Sequence, residues 1–404
     1  MDHVIHTPAD SEVSVPDGVG WVRTWGASPQ APDDSVSSID AFENATLRQL
    51  VRISGGGQRI RVRLSNEYGT ERLVIGAARV ALADADGADR EGSSRAVLFG
   101  GRSTVTVPAG APVLSDPIDL PVDALARLAV SLYVPGRVDT VTCHGTFHAL
   151  GLLIPGDATG LGAPPEEAAP LPAQGFLTAV EAWPVTPAGA VVVLGDSRAD
   201  GIGSTPGTDR RWTDLLAGRL HARGGRTRCV INQGIGGNRL LSDGVGTAAL
   251  ARFDRDVLAT PGLGHVVVAV GNDLVFSFAP CTGETAGFLA MFPGRARGRG
   301  RHHRRPPPSG GTGPRPRSEG PRRDHRPLRR LRDVLARRRQ GARAGQRVDP
   351  HERRLRRGAR LRAVWRDPAD PTRIRAGLHM GDHLHGNDAG YAALAESVDL
   401  SLFD

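Results

Sequence analysis

The chain has 404 residues, enough for two domains with cores of their own, and a formal net charge of +8. All 51 basic residues are arginine, and 25 of them fall between Pro293 and Arg362 against five acids; the rest of the chain is acidic, with 26 arginines against 38 acids. The basic balance is therefore local and excludes a nucleic-acid surface spread over the whole protein, and no run approaches the ~20 apolar residues of a membrane span.

The first residues, 1–20, lack a basic segment followed by an apolar run, so no export signal is visible, and they are expected to be disordered. As written this reads as a cytoplasmic protein, or a secreted one should the true start differ. Residues 21–185 are expected to form a β-rich domain. Ile60, Val62 and Leu64 alternate with Arg59, Arg61 and Arg63, the period of a strand with one buried face, and Gly55-Gly56-Gly57 ahead of them is a turn signal. The runs ERLVIGAARVALA, STVTVPAGAPVL and RLAVSLYVPG continue this pattern, and an antiparallel sandwich is the natural packing for such strands. Gly156–Gln174, rich in Pro, Ala and Gly, reads as a linker or a long surface loop.

From residue 186 to 404 the pattern changes. AVVVLGDS is a continuous apolar run, as expected of a strand buried on both faces of a parallel sheet. RRWTDLLAGRLHAR has helical spacing, with Trp212, Leu215, Leu216 and Leu220 on one side, and RCVINQG and GHVVVAVGND read as two further strands. Strands alternating with helices predict an α/β doubly wound domain whose chemistry sits at the carboxyl ends of the strands.

Each of those ends carries a polar motif. Gly195-Asp196-Ser197 puts a hydroxyl at the mouth of the sheet; as a lone motif it equally describes a serine capping the next helix. The G-x-S-x-G elbow is absent, because Ala199 replaces its second glycine. INQGIGGN offers a glycine-rich turn that is either a plain loop or a presenter of backbone N–H groups. In Gly271-Asn272-Asp273, Asn272 is a turn residue or a side-chain donor to a developing oxyanion. Asp382 and His385 lie three apart, so the carboxylate can reach Nδ1 and leave Nε2 for a serine. The bland alternative is a solvated loop in which Asp388 caps the helix AGYAALAESV. His379 and His383 make a His/Asp metal cluster conceivable, but no metal-ligand spacing such as H-E-x-x-H is present. Cys143, Cys229 and Cys281 form neither a metal motif nor a disulfide framework, and their odd number leaves at least one unpaired.

The blocks GDSRADGIG, INQGIGGNRLL, GND and DHLHGNDAGY, in this order, resemble the four signature blocks of the SGNH (GDSL-type) serine hydrolases, in particular two-domain members whose β-rich N-terminal domain opens with a segment like TWGASPQ. The resemblance covers Trp21–Pro293 and Asp367–Phe403. It implies a flavodoxin-like parallel-sheet hydrolase domain with no metal and no cofactor. Ser197 would be the nucleophile and supply one oxyanion N–H; Gly237 would supply the second donor and Asn272 the third. His385 would be the acid/base, oriented by Asp382. Two positions depart from the pattern. Val270 stands where the third block has its first glycine, and Gly386 replaces the usual proline, which is expected to loosen that loop.

The family calls for further strands where the chain has its Arg/Pro/Gly-rich stretch, 293–362, with 25 Arg, nine Pro and ten Gly and no buried-strand pattern. A disordered basic insert, a nucleic-acid-binding arm and an out-of-frame translation of a GC-rich gene all produce such a composition. The absence of lysine marks a GC-rich gene. Shifting one base forward turns the His302 and His303 codons into Thr or Ile, flanked by Ala, Val, Gly or Asp. That restores a helix-to-strand transition and favours a compensated frameshift from near Pro293 to near Ala363. The chain would then lack two strands of a five-stranded sheet.

The expected function is hydrolysis of a carboxylic ester through an acyl-serine intermediate, with short acyl esters of a carbohydrate or of a small lipid as substrates and no nucleic-acid partner. The alternatives are a glycan-binding protein with an impaired hydrolase domain, and nucleic-acid binding through Arg295–Arg362. The last predicts strong salt dependence, yet that stretch has no Phe, Tyr or Trp for base stacking.

Overall fold

The computed structural model describes residues 20–33, 38–145, 150–270, 364–370 and 373–404. The expectations for residues 1–19, for Asn272 and for the 293–362 stretch fall outside them.

The N-terminal half is built of antiparallel strands. A six-stranded sheet runs, in spatial order, Ala169–Pro170, Leu150–Pro155, Ala45–Arg52, Arg127–Val134, Ala77–Leu82 and Arg95–Ala96. A four-stranded sheet runs Val22–Gly26, Leu177–Trp183, Arg59–Ser65 and Pro112–Leu114. Both sheets contribute to one apolar core: Leu47, Val51, Leu128, Val130 and Leu132 from the first, Ile60, Val62, Leu64 and Val180 from the second. The alternation in Arg59–Ser65 is as expected, with Ile60, Val62 and Leu64 fully buried. The outward arginines of that strand find partners. Arg61 pairs with Glu181 at 2.7 Å and lies over the Trp21 ring, 4.3 Å from its centroid.

Gly156–Gln174 is not a linker. It returns the chain to the N-terminal half, burying Ala158, Leu171 and Ala173 and pairing Ala169–Pro170 with the larger sheet. It leads into Leu177–Trp183, which the sequence did not single out and which lies between Val22–Gly26 and Arg59–Ser65. The glycines at 55–57 are also more than a turn. A Cβ on Gly55 would collide with the Cys229 sulfur, so the N-terminal half presses its backbone directly onto a strand of the C-terminal half.

The C-terminal half holds a parallel sheet with the order Thr227–Gly234, Ala188–Gly195, Leu263–Ala269 among the described residues. Ala188–Gly195 is central and buried along its whole length, as its unbroken apolar sequence predicts. One face packs Val191, Val193 and Val230 against Trp212, Leu216 and Leu220 of the helix Trp212–Arg223 and Tyr391 and Leu394 of the helix Asp388–Ser397. The other face packs Ala190, Val192 and Ile231 against Val257 and against Val22, a residue of the N-terminal half. Arg23 N–H donates to Pro261 O at 3.1 Å, and Ser54 Oγ donates to Val230 O at 3.1 Å. The two halves thus share apolar surface and hydrogen bonds. No helix among the described residues is long and apolar enough to cross a membrane.

Candidate active site

The central strand ends at Gly195, and the chain folds back at once into a one-turn helix, Ser197–Asp200. A Cβ on Gly195 would run into the Ala199 side chain, so glycine is what permits so tight a reversal. Asp196, not Ser197, caps this helix. Its carboxylate accepts from Arg198 N–H at 3.1 Å, leaving the Ser197 hydroxyl free of capping duty. Gly201, at φ 103°, closes the turn by donating its N–H to Ser197 O at 2.9 Å.

The loop before the last helix brings the second component. One Asp382 oxygen accepts from the backbone N–H groups of Leu384 and His385, both at 2.9 Å, and the other lies 2.5 Å from His385 Nδ1. His385 Nε2 lies 2.9 Å from Ser197 Oγ. Since an ionised carboxylate only accepts, Nδ1 carries the proton and Nε2 offers its lone pair to the serine O–H. Burial alone would raise the Asp382 carboxyl, but hydrogen bonds from the His385 ring and from the His385 and Leu384 N–H groups outweigh it and hold it well below the usual carboxylate range.

This loop is clamped from several sides. His379 Nδ1 accepts from Gly381 N–H at 3.0 Å and from His383 N–H at 3.3 Å, which lets His383 adopt φ 56° at the tip. The helix that follows is capped by Asn387, whose side chain accepts from Gly390 N–H at 2.9 Å. Asp388 is therefore released from the capping role that the alternative reading of this loop gave it. Its carboxylate instead accepts from Thr205 N–H and Oγ, both at 2.8 Å, on the segment that follows Ser197. Tyr391 adds a hydrogen bond to Ile202 O at 2.6 Å. Gly386 does not loosen the loop: a Cβ there would stand 2.7 Å from Trp365 Cζ2, and the residue is packed between Trp365 and Tyr391.

The second block follows the strand Thr227–Gly234. Gly234 lets the Ala199–Asp200 backbone lie against it, and Gly237 sits at φ 71°. Asp200, buried, accepts from Gly236 N–H at 3.1 Å. Asn238 donates to Thr247 O at 2.8 Å and accepts from Arg252 Nη2 at 3.0 Å. Of the third block, Val270 packs against the core between the two halves, while Asn272 lies outside the described residues.

Four residues of this region were not anticipated. Asn232 ties Ala199 O (2.7 Å) to the second strand. Arg252, fully buried, donates to Ser28 Oγ, Gln233 O, Gly195 O, Asn238 Oδ1 and Asp256. Asp200 and His144 lie 3.2 Å apart. Only Asp200, one helical turn beyond Ser197, had a sequence signal that could have found it. Cys143 and Cys229 are free and buried, and burial pushes both thiols up to about 12. Among the described residues no group of three or more His, Cys, Asp or Glu side chains is arranged to hold a metal ion.

The family described as GDSL-like Lipase/Acylhydrolase matches residues 191–398. The chain belongs to this family of ester hydrolases, whose fold carries a parallel sheet, and here a β-rich N-terminal region with antiparallel sheets precedes it. Among solved structures, a family two carbohydrate esterase from Clostridium thermocellum in complex with cellohexaose is 13% identical, covering 68% of this chain and 75% of its own at a TM-score of 0.20. An active site mutant of a family two carbohydrate esterase from the same organism is 12% identical over the same shares, also at 0.20. No curated protein sequence matches.

Proposed function

We propose that the chain is a serine esterase in which Ser197, His385 and Asp382 form a catalytic triad, and that it cleaves short acyl esters of a carbohydrate or a small lipid. The observation that carries this reading is the continuous line Asp382–His385–Ser197, with contacts of 2.5 and 2.9 Å, at the carboxyl end of the central strand. Ser197 Oγ attacks the ester carbonyl while His385 Nε2 takes its proton, and Asp382 stabilises the imidazolium that results. The tetrahedral oxyanion is received by the N–H groups of Ser197 and Gly237 and by the Asn272 side chain. Collapse expels the alcohol, which takes the proton back from His385. A water molecule, deprotonated by the same histidine, then attacks the acyl-serine, releases the carboxylic acid and restores the hydroxyl. No cofactor enters any step.

The same proposal treats the C-terminal half, 186–404, as a doubly wound, flavodoxin-like hydrolase domain and 21–185 as a β-sandwich-like accessory domain. The helices on one face of the parallel sheet and the single core between the two antiparallel sheets support it. The experiment is turnover of a chromogenic short-chain ester by the full chain and by Ser197→Ala, with organophosphonate labelling and peptide mapping. Loss of turnover in the variant and a label on Ser197 are expected; unchanged turnover, or a label on another serine, overturns the assignment.

A further inference from the structure

The second-block turn has a weakness that the rest of the site lacks. Its N–H groups have to be aimed before the substrate arrives, because a donor that must reorient during the reaction loses most of its worth. Yet the turn consists of Gly236 and Gly237, the residue type with the least conformational restraint of its own. Its neighbours fix the ends: Ile235 N–H donates to Gly195 O at 3.2 Å and Asn238 N–H to Ile235 O at 3.1 Å. Within the turn, the Gly236 N–H is held by the Asp200 carboxylate at 3.1 Å.

That carboxylate is 1% exposed, and a buried charge keeps its position only if its oxygens are engaged. Its second oxygen faces His144 Nε2 at 3.2 Å, and His144 is itself buried. His144 comes from the N-terminal half, and its Nδ1 lies 2.9 Å from Ser28 O. A carbonyl oxygen and an ionised carboxylate both only accept, so Nδ1 donates to Ser28 O and Nε2 to Asp200; the ring carries both protons, and its plane is set by two contacts on opposite edges. Ser28 is in turn held through its hydroxyl, which accepts from Arg252 Nη1 at 2.8 Å.

We infer that His144 and Asp200 are a positioning pair for the oxyanion donor of the second block: the imidazolium delivered by the N-terminal half fixes the Asp200 carboxylate, and the carboxylate fixes the Gly236 N–H, the peptide plane immediately before the one that carries the Gly237 N–H. Neither residue touches the ester. The N-terminal half is then part of the catalytic apparatus, because it supplies the outer member of the pair. The inference rests on the proposed role of Gly237 as an oxyanion donor.

The test uses the full chain and the variants His144→Ala, His144→Gln and Asp200→Asn, with Ser197→Ala alongside. For each, kcat and KM are measured on a short-chain chromogenic ester, together with the affinity for a small alkylboronic acid, whose tetrahedral serine adduct places an oxygen where the oxyanion forms. Loss of a well-aimed donor costs about a hundredfold in kcat, and a misaimed one is expected to cost roughly tenfold. His144→Ala and Asp200→Asn should therefore lower kcat by about tenfold or more and weaken the boronate by a similar factor, with KM within about twofold. His144→Gln, which keeps an N–H for the carboxylate, should recover most of both. A merely structural role predicts something different: activity lost in proportion to the unfolded fraction seen by circular dichroism, with boronate affinity of the folded protein unchanged. That result, or an unchanged kcat, overturns the positioning role while Ser197→Ala still abolishes turnover. A wild-type chain with neither turnover nor boronate binding overturns the proposed function itself, and this inference with it.

Discussion

His385 Nε2 stands 2.9 Å from Ser197 Oγ although the two residues are 188 positions apart, and the contact is buried. Two independent restraints meet there: the one-turn helix after the central strand holds the serine, and the Asp382 turn holds the imidazole.

If these groups act as one unit, their losses should be unequal. His385→Ala removes the proton acceptor and is expected to lower kcat by several orders of magnitude. Asp382→Asn leaves the imidazole but favours the wrong tautomer, and should cost clearly but less. Asn272→Ala should lower kcat by roughly a hundredfold with little change in KM, since its bond would form mainly to the transition-state oxygen. Steady-state kinetics on one short-chain ester separates the three, and an effect of Asn272→Ala confined to KM would make it a binding residue.

The depressed Asp382 carboxyl also links stability to pH. An unfolded aspartate titrates near ~3.9, whereas the folded group is held lower by the His385 ring and two backbone N–H groups against the opposing effect of burial. Its contribution is then fully present above the unfolded value and is lost as pH falls toward the folded one. The Tm gap between wild type and Asp382→Asn should stay level from pH 7 to about 5 and narrow progressively below about 4. A gap that does not narrow at all between about pH 5 and about pH 2 would mean that the variant disturbs packing rather than a charge.

Short-range chemistry made much of the site legible. Asp382 and His385 are three residues apart, so their hydrogen bond is a property of one turn, and the buried strand before Ser197 follows from an unbroken apolar run. The parts that stayed hidden depend on distant chain. Leu177–Trp183 draws its place from partners at Val22–Gly26 and Arg59–Ser65. His144 gains its role from Asp200, in the other half of the protein. Arg252 is one of 51 arginines, and nothing local marks it as buried. The alternative readings of Ser197 and Asp388 as helix caps arise because cap-competent side chains stand side by side, and the caps fall to the neighbours Asp196 and Asn387.

Gly386 offers a test of packing against the family pattern. A Cβ at this position would meet Trp365 Cζ2 at 2.7 Å, and Trp365 is anchored by its Nε1 donating to Gly390 O at 2.7 Å. Gly386→Ala should therefore destabilise the chain by about 1–3 kcal/mol through overpacking, and Gly386→Pro by at least as much. Replacing Trp365 with leucine in the Gly386→Ala background should make the alanine less costly than it is alone. Urea unfolding of the four proteins closes the cycle, and additive effects would mean that the two side chains do not meet.

Arg252 joins more of the structure than any residue of the proposed triad does. Its guanidinium reaches Gly195 O at the end of one strand, Gln233 O near the end of the next, Asn238 in the second-block turn, Ser28 in the N-terminal half and Asp256 on its own segment. Burial lowers its affinity for the proton, and Asp256 opposes that. Asp256 also accepts from Arg255 at 2.6 Å, so removing Arg252 does not leave the carboxylate without a cation. The loss falls instead on the buried acceptors that the fork gathers, Gln233 O and Ser28 Oγ among them. Arg252→Met, which keeps most of the volume, should cost at least about 1–3 kcal/mol in urea unfolding, the cost of leaving one buried acceptor without its donor. Arg252→Lys is the informative variant. It keeps the charge, but a single ammonium cannot span acceptors laid out around a planar fork. Its stability should lie closer to that of Arg252→Met than to wild type. A lysine variant as stable as wild type would locate the contribution in the charge opposite Asp256, and not in the fork that gathers two strand ends, one turn and the N-terminal half.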